Sequence, residues 1–355
     1  MAVTLESLGD IAAMGFDDVI DVRAPLEFAE DHVPGALNLP VLNDDERARV
    51  GTIYKQDSPF TARKLGAALV ARNAAAHLEG VLADRPGGWR PLLYCWRGGQ
   101  RSGSFASILS QIGWRVEIIA GGYKAWRKLV IDAVHETPVV SPVVVLDGNT
   151  GTAKTELLAL MAARGVQVLD LEGMANHRGS LFGARGPQPT QRAFETRLAF
   201  ALAALDPARP VVVEAESSKV GECRVPAGLW RAMVGAPRVA VRATVAARAE
   251  YLVRAYGDMI EDPARLMGVL ERLRPLHPAL VIEEWMGMAG AGAFEELAAG
   301  LMERHYDPRY ERHRARGGVA EVEVEAAGLG EGDLPELAIR VAEAVSRRGV
   351  LATGK

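Results

Sequence analysis

The chain has 355 residues, about half apolar and a quarter charged, which is more than one ordinary core absorbs and sets two domains as the expectation. A formal net charge of −4, from 41 Lys and Arg against 45 Asp and Glu, excludes the chain-wide basic surface of a nonspecific nucleic-acid binder, so any RNA contact must use a local basic face. With only Cys95 and Cys223, no apolar run long enough to cross a bilayer and no basic, apolar leader at the start, the expectation is a reducing cytoplasm and no membrane partner.

From the N-terminus, strand-like and helix-like pieces alternate: Asp18 to Val22 extended, Thr61 to Leu78 helical, Pro91 to Tyr94 extended, Ser102 to Ile112 helical, Val116 to Ile119 extended and Gly122 to Val130 helical. Such alternation predicts a parallel sheet covered by helices. The segment from His135 to Pro142 carries two prolines and little periodicity, so the domains are expected to span 1–135 and 142–355. In the second, strands are predicted at Val143 to Leu146, Val166 to Leu169, Val211 to Glu214, Val239 to Arg242 and Val319 to Val324, with a helical part over 246–316 and a last helix from Leu334 to Val345. The fold class is therefore α/β, as two parallel-sheet domains with a helical part towards the C-terminus.

Two loops carry the chemistry. Cys95 follows the apolar Pro91 to Tyr94 and opens Cys-Trp-Arg-Gly-Gly-Gln-Arg-Ser, a turn from strand into helix. Backbone N–H groups at a helix start and nearby arginines stabilise a thiolate, so Cys95 is the candidate nucleophile. Arg97, Gly98, Gly99, Arg101 and Ser102 form its anion loop, the glycines letting the backbone curl and Arg101 presenting a planar fork to an oxyanion. Cys223 lacks such a setting and reads as a half-buried, inert thiol. The second loop, Gly148-Asn-Thr-Gly-Thr-Ala-Lys154-Thr155, has the spacing of a phosphate-binding loop between a strand and a helix. Gly148, Thr150, Gly151, Lys154 and Thr155 are its candidate ligands, Thr155 with a Mg2+ ion as an option. Ala153 replaces the usual glycine before the lysine, and Val211 to Glu216 ends in glutamates where an aspartate is customary, which argues against rapid ATP hydrolysis.

His177 and Arg178, in a polar turn past Asp170, and Glu214 and Glu216, at a strand end beside the loop, are candidate substrate contacts. Arg304, Tyr306, Arg309, Tyr310, Arg312 and Arg314 mix cations and rings in the manner that suits RNA phosphates and stacked bases. The alternative for that stretch is a solvated helix end neutralised by Glu303, Asp307 and Glu311. Scattered histidines without a Cys-x2-Cys or His-x3-His cluster give no expectation of a metal held by protein ligands alone.

In order, Asp21 to Phe28, His32 to Pro40, the Cys95 loop and Gly121 to Trp126 resemble the signature segments of a rhodanese domain, which implies a loop cysteine that carries sulfur as a persulfide. The Cys95 loop departs in being one residue longer, the Cys-x5-Arg length of related phosphatases, so it suits a larger anion. Together with the phosphate loop, Asn176 to Gly183, Glu214 to Gly221 and His305 to Tyr310, the chain resembles the tRNA 2-selenouridine synthase family, a rhodanese domain fused to a P-loop NTPase-like domain. That resemblance implies an enzyme acting on tRNA with wobble 2-thiouridine, whose sulfur it replaces with selenium from selenophosphate after S-geranylation by geranyl diphosphate. It implies no tightly bound cofactor and, as the source of the donor, a selenophosphate synthetase. The competing reading is a phosphatase or sulfurtransferase domain fused to a P-loop kinase-like domain.

Overall fold

Two parallel sheets organise the chain, and each places one of the two loops at the carboxyl end of a central strand. The computed structural model describes residues 1–215, 217–314 and 321–352, with side chains for all of these except 312–314 and 349–352. The strands of the first sheet are β1 (Ala2–Val3), β2 (Asp18–Asp21), β3 (Leu37–Asn38), β4 (Pro91–Tyr94) and β5 (Glu117–Ile119), in the order β1-β5-β4-β2-β3, every pair parallel. β4 reads Pro-Leu-Leu-Tyr with every residue buried, as expected of a strand covered on both faces. Its neighbours lie on opposite sides, β5 after it and β2 before it, so the strand order reverses there and leaves a crevice at its carboxyl end. The helices Pro59–Glu79 and Gln100–Ile112 contribute Leu69, Val70, Ala74, Phe105, Ala106 and Leu109 to the core beneath.

In the second sheet, β6 (Val143–Gly148), β7 (Gln167–Leu169), β8 (Val211–Glu214), β11 (Arg238–Arg242) and β12 (Glu321–Glu325) lie in the order β12-β11-β6-β8-β7, again all parallel. Between β8 and β11, β9 (Lys219–Val220) and β10 (Cys223–Arg224) form an antiparallel pair. β6 is central and wholly buried, with β8 and then β7 on one side of it and β11 and then β12 on the other, and the switch point again falls at its carboxyl end. The helices Lys154–Ala162 and Leu334–Ala352 cover the sheet through Leu157, Leu158, Met161, Leu337, Val341 and Val345. A helical layer, comprising Val245–Ala255, Gly257–Ile260, Pro263–Glu271, Ala279–Ala291 and Phe294–Leu301, has a further core around Leu270, Ile282 and Trp285.

The chain divides into Met1–Glu136 with Pro189–Ala203, and Thr137–Gln188 with Ala204–Lys355. The helix Gln191–Ala203 thus packs with the first sheet, although the sequence assigns it to the second domain by position. It buries Phe194, Leu198 and Ala199, and polar groups add to the fixing. Thr196 Oγ1 donates to Asp31 at 2.9 Å, Tyr123 Oη donates to the same carboxylate at 2.8 Å, and Arg127 and His135 both pair with Glu195. Cys223, expected to be half-buried, is 1% exposed, because β10 buries it in the short hairpin.

Candidate functional site

Cys95 lies at the bottom of a loop whose shape is imposed by backbone contacts. Gly98 adopts φ +63°, and a Cβ there would meet the Ile119 carbonyl oxygen at 2.5 Å. Gly122 adopts φ +58°, and a Cβ there would stand 2.3 Å from the Cys95 carbonyl oxygen and 2.4 Å from Gly98 N. Only glycine fits both positions. The close approach lets the start of the helix Gly122–Ile131 clasp the loop, with Tyr123 N donating to the Cys95 carbonyl at 2.8 Å and Lys124 N to that of Trp96 at 3.1 Å. Gly99 serves differently from expectation. Its φ is −104°, so it does not curl the loop; it stands at the start of the helix Gln100–Ile112 and its N–H donates to Cys95 Sγ at 3.3 Å.

Cys95 is 3% exposed, and its sulfur also accepts from Ser102 Oγ at 3.2 Å. Burial pushes the thiol up, but the hydrogen bond from Ser102 and the backbone N–H groups of Ser102, Arg97 and Gly99 outweigh it, so the net shift is down, towards thiolate. Arg97 is exposed. Arg101, expected to present its fork to an oxyanion, has both Nη atoms on Glu27, at 2.6 and 3.3 Å. The loop's cation open to solvent is therefore Arg97. Nearby, Arg23 pairs with Asp21 at 2.6 Å, both buried, and its guanidinium lies 3.9 Å from the Tyr123 ring centroid, so the Asp21 to Phe28 segment braces the clasp.

The phosphate loop links β6 to the helix Lys154–Ala162. Ala153 takes the left-handed conformation, φ 58° and ψ 24°, that glycine would take without strain. That conformation costs an L-residue about 1–2 kcal/mol. A glycine would give back about 0.4–1 kcal/mol through the unfolded chain and about 0.8 kcal/mol with the buried methyl group. The terms nearly cancel, which is why alanine is tolerated without deforming the loop. Lys154 Nζ donates to the carbonyls of Gly148 at 2.8 Å and Asn149 at 3.4 Å, and lies 5.8 Å from the Tyr310 ring centroid. Thr155 Oγ1 donates to Glu172 Oε2 at 2.8 Å, and the Glu172 N–H donates in turn to Glu214 Oε1 at 2.7 Å. Glu214 therefore acts through Glu172, a residue the sequence reading missed; its place just after Asp170, the side-chain cap of the helix Leu171–Ala175, was the available signal. Glu216 lies outside the described residues.

A cavity of about 1120 Å³ opens over this loop, lined among others by Thr150, Gly151, Lys154, Thr155, Glu172 and Arg178. Arg178 pairs with Asp258 at 2.9 Å and lies 4.6 Å from the Tyr256 ring centroid, leaving its Nη1 without a hydrogen-bond partner among the described residues. His177 is not among the lining residues; burial lowers its pKa, and its Nδ1 accepts from Gly179 N at 3.1 Å. Tyr306, Arg309 and Tyr310, candidates for an RNA face, line the cavity. Arg304 is apart from them, exposed and paired with Glu284 at 2.6 Å. The side chains of Arg312 and Arg314 lie outside the described residues. Beside the cavity is an apolar pocket that shares Thr150, Ser180, Leu252, Tyr256 and Tyr306 with it and is otherwise walled by residues such as Phe182, Met259, Phe294, Leu297 and Met302.

The family model of the rhodanese-like domain matches residues 4–129, and that of the tRNA 2-selenouridine synthase AAA domain matches residues 141–269. A tRNA 2-selenouridine synthase from Pseudomonas syringae pv. tomato is 36% identical over 345 residues, covering 87% of this chain and 92% of that one. The chain belongs to the tRNA 2-selenouridine synthase family. Further relatives of that description, from Aeromonas salmonicida and Nitrosomonas europaea, are 40% identical over 253 residues and 35% identical over 283 residues, covering 70% and 77% of this chain and 67% and 71% of theirs. Strands β2 to β5 fall within the rhodanese-like match and β6, β7, β8 and β11 within the AAA-domain match, whereas β12 lies beyond it, so the two α/β sheets correspond to the two matched domains. Among the described residues no helix is long and apolar enough to cross a membrane.

Proposed function

We propose that this protein modifies tRNA, converting wobble 2-thiouridine to 2-selenouridine in two steps that use its two loops separately. The observation that carries the reading is the apolar pocket adjoining the phosphate-loop cavity: geranyl diphosphate joins a hydrocarbon chain to a diphosphate, and this pair of spaces suits both halves. In the first step the thiouridine sulfur attacks the geranyl carbon bearing oxygen, a C–S bond forms, the C–O bond breaks and diphosphate leaves. Lys154 and the loop N–H groups stabilise the charge that develops on the departing oxygen. Thr155 and Glu172 offer the hard oxygen donors that Mg2+ takes, which would add positive charge at the same place.

In the second step the selenium of selenophosphate attacks the ring carbon that bears the alkylated sulfur, a C–Se bond forms and the C–S bond breaks. The sulfur leaves as geranyl thiol once protonated, and water then cleaves the P–Se bond to release phosphate. The Cys95 loop suits the selenophosphate oxyanion, with inward N–H groups at Sγ, exposed Arg97 and a cysteine drawn towards thiolate. Mass spectrometry of nucleosides from tRNA treated with the purified full chain tests both assignments. Lys154→Ala should lose geranylation while still converting tRNA that is already geranylated, and Cys95→Ala should stop at the geranylated product. Normal geranylation by Lys154→Ala would remove the phosphate loop from the reaction, and full selenation by Cys95→Ala would remove the cysteine.

A further inference from the structure

Arg309 belongs by sequence to a stretch that suits RNA, yet it lines the cavity over the phosphate loop. The helix that carries it, Asp307–Arg314, is tied to that loop by Arg248, which is 4% exposed. Arg248 grips Asp307 with both Nη atoms, at 2.9 and 2.8 Å, and donates from Nη1 to the Thr150 carbonyl at 3.2 Å. Just before the helix, a π-helical turn, Met302–Tyr306, puts His305 one turn behind Arg309, and His305 Nε2 lies 2.6 Å from Arg309 Nη1. A guanidinium only donates, so Nε2 must accept and the ring proton of His305 sits on Nδ1. That proton is donated to His277 Nε2 at 2.8 Å, which makes His277 the Nδ1–H tautomer. The relay works only with His305 neutral, and burial, Arg309 and His277 together lower its pKa to about 4.

We propose that Arg309 is a catalytic residue of the phosphate-loop cavity, donating to the departing diphosphate opposite Lys154, and that His305 and His277 are the positioning residues that fix its guanidinium there. Resting on the diphosphate reading given above, this assigns Arg309 as a further cation of that site beside Lys154, with a role at the cavity in place of one in RNA contact. Arg309, an exposed residue, lines the cavity together with Lys154, Thr155 and Arg178, so an anion there has several cations within one cavity.

Calorimetric titration of the full chain with inorganic pyrophosphate, alongside tRNA binding over a salt series, tests the assignment. Arg309→Ala should weaken pyrophosphate binding about ten- to hundredfold, the range of one charge-assisted hydrogen bond, and leave the tRNA salt slope as it was; Arg309→Lys should fall between. Unchanged pyrophosphate affinity, or a tRNA slope flatter by about 0.7–0.9, overturns it, the second outcome returning Arg309 to the RNA face. Lys154→Ala separates the layers. If it loses pyrophosphate binding and Arg309→Ala does not, the assignment alone fails; if neither variant does, the diphosphate reading fails with it. His305→Leu should weaken pyrophosphate binding in the parent but add nothing in an Arg309→Ala background, and an equal loss in both overturns the positioning role.

Discussion

Cys95 sits between two opposing effects, burial that favours the thiol and converging donors that favour the thiolate, and the donors prevail. The side-chain donor is Ser102, buried against the sulfur. Removing it leaves burial with fewer opponents, so the thiol pKa must rise and the thiolate fraction at any given pH below it must fall. Ser102→Ala should therefore move the pH midpoint of Cys95 alkylation by iodoacetamide upward, with the limiting rate at high pH little changed. A midpoint that stays in place would show that the backbone N–H groups alone set the thiolate. Much of this was legible in the sequence, since a cysteine after a buried strand and before two glycines and a serine admits few other geometries. The pairing of Arg101 with Glu27 was not, because it joins residues 74 positions apart and depends on where the helix Pro25–Glu30 packs.

At the scale of elements, the central strands β4, β6, β8 and β11 announce themselves as short apolar runs, and each appears within a residue or two of its predicted place. Strands of two residues, such as β1 and β3, carry too little pattern to be seen. The helix Asp44–Gln56 is polar almost throughout, and its readable signal was the capping box between Asn43 and Glu46. The helix Asp307–Arg314 shows the converse: its arginines and Tyr310 were visible, but its placement depends on the pair of the buried Arg248 with the largely shielded Asp307. Arg248→Ala would leave the Asp307 carboxylate, itself largely shielded, without its partner, and should lower stability by about 3–5 kcal/mol. The double variant Arg248→Met with Asp307→Leu should recover most of that loss, because no uncompensated charge remains. Urea unfolding followed by far-ultraviolet circular dichroism measures both, and a double variant as unstable as the single one would contradict the argument.

Across the whole molecule, the chain leaves its first unit after Glu136, returns to it for Pro189–Ala203 and leaves again. A boundary read from prolines and lost periodicity does not reveal such a return, because the buried face of the helix Gln191–Ala203, Phe194, Leu198 and Ala199 with Glu195 and Thr196, does not say which sheet it packs with. Without it, Asp31, which is 2% exposed, would lose the Thr196 hydroxyl, while Arg127 and His135 would lose Glu195. Burial already raises the Asp31 pKa despite its donors, so losing one raises it further and leaves a buried carboxyl poorly satisfied. A fragment of residues 1–136 should therefore unfold at a clearly lower temperature than the same fragment carrying residues 189–203 through a flexible Gly-Ser linker. Thr196→Val in the linked form should forfeit part of the gain, since it removes the donor to Asp31 and keeps the helix. Thermal unfolding of the three proteins by circular dichroism decides the matter. Equal midpoints for the bare and linked fragments would mean that the helix contributes nothing to the stability of the first unit.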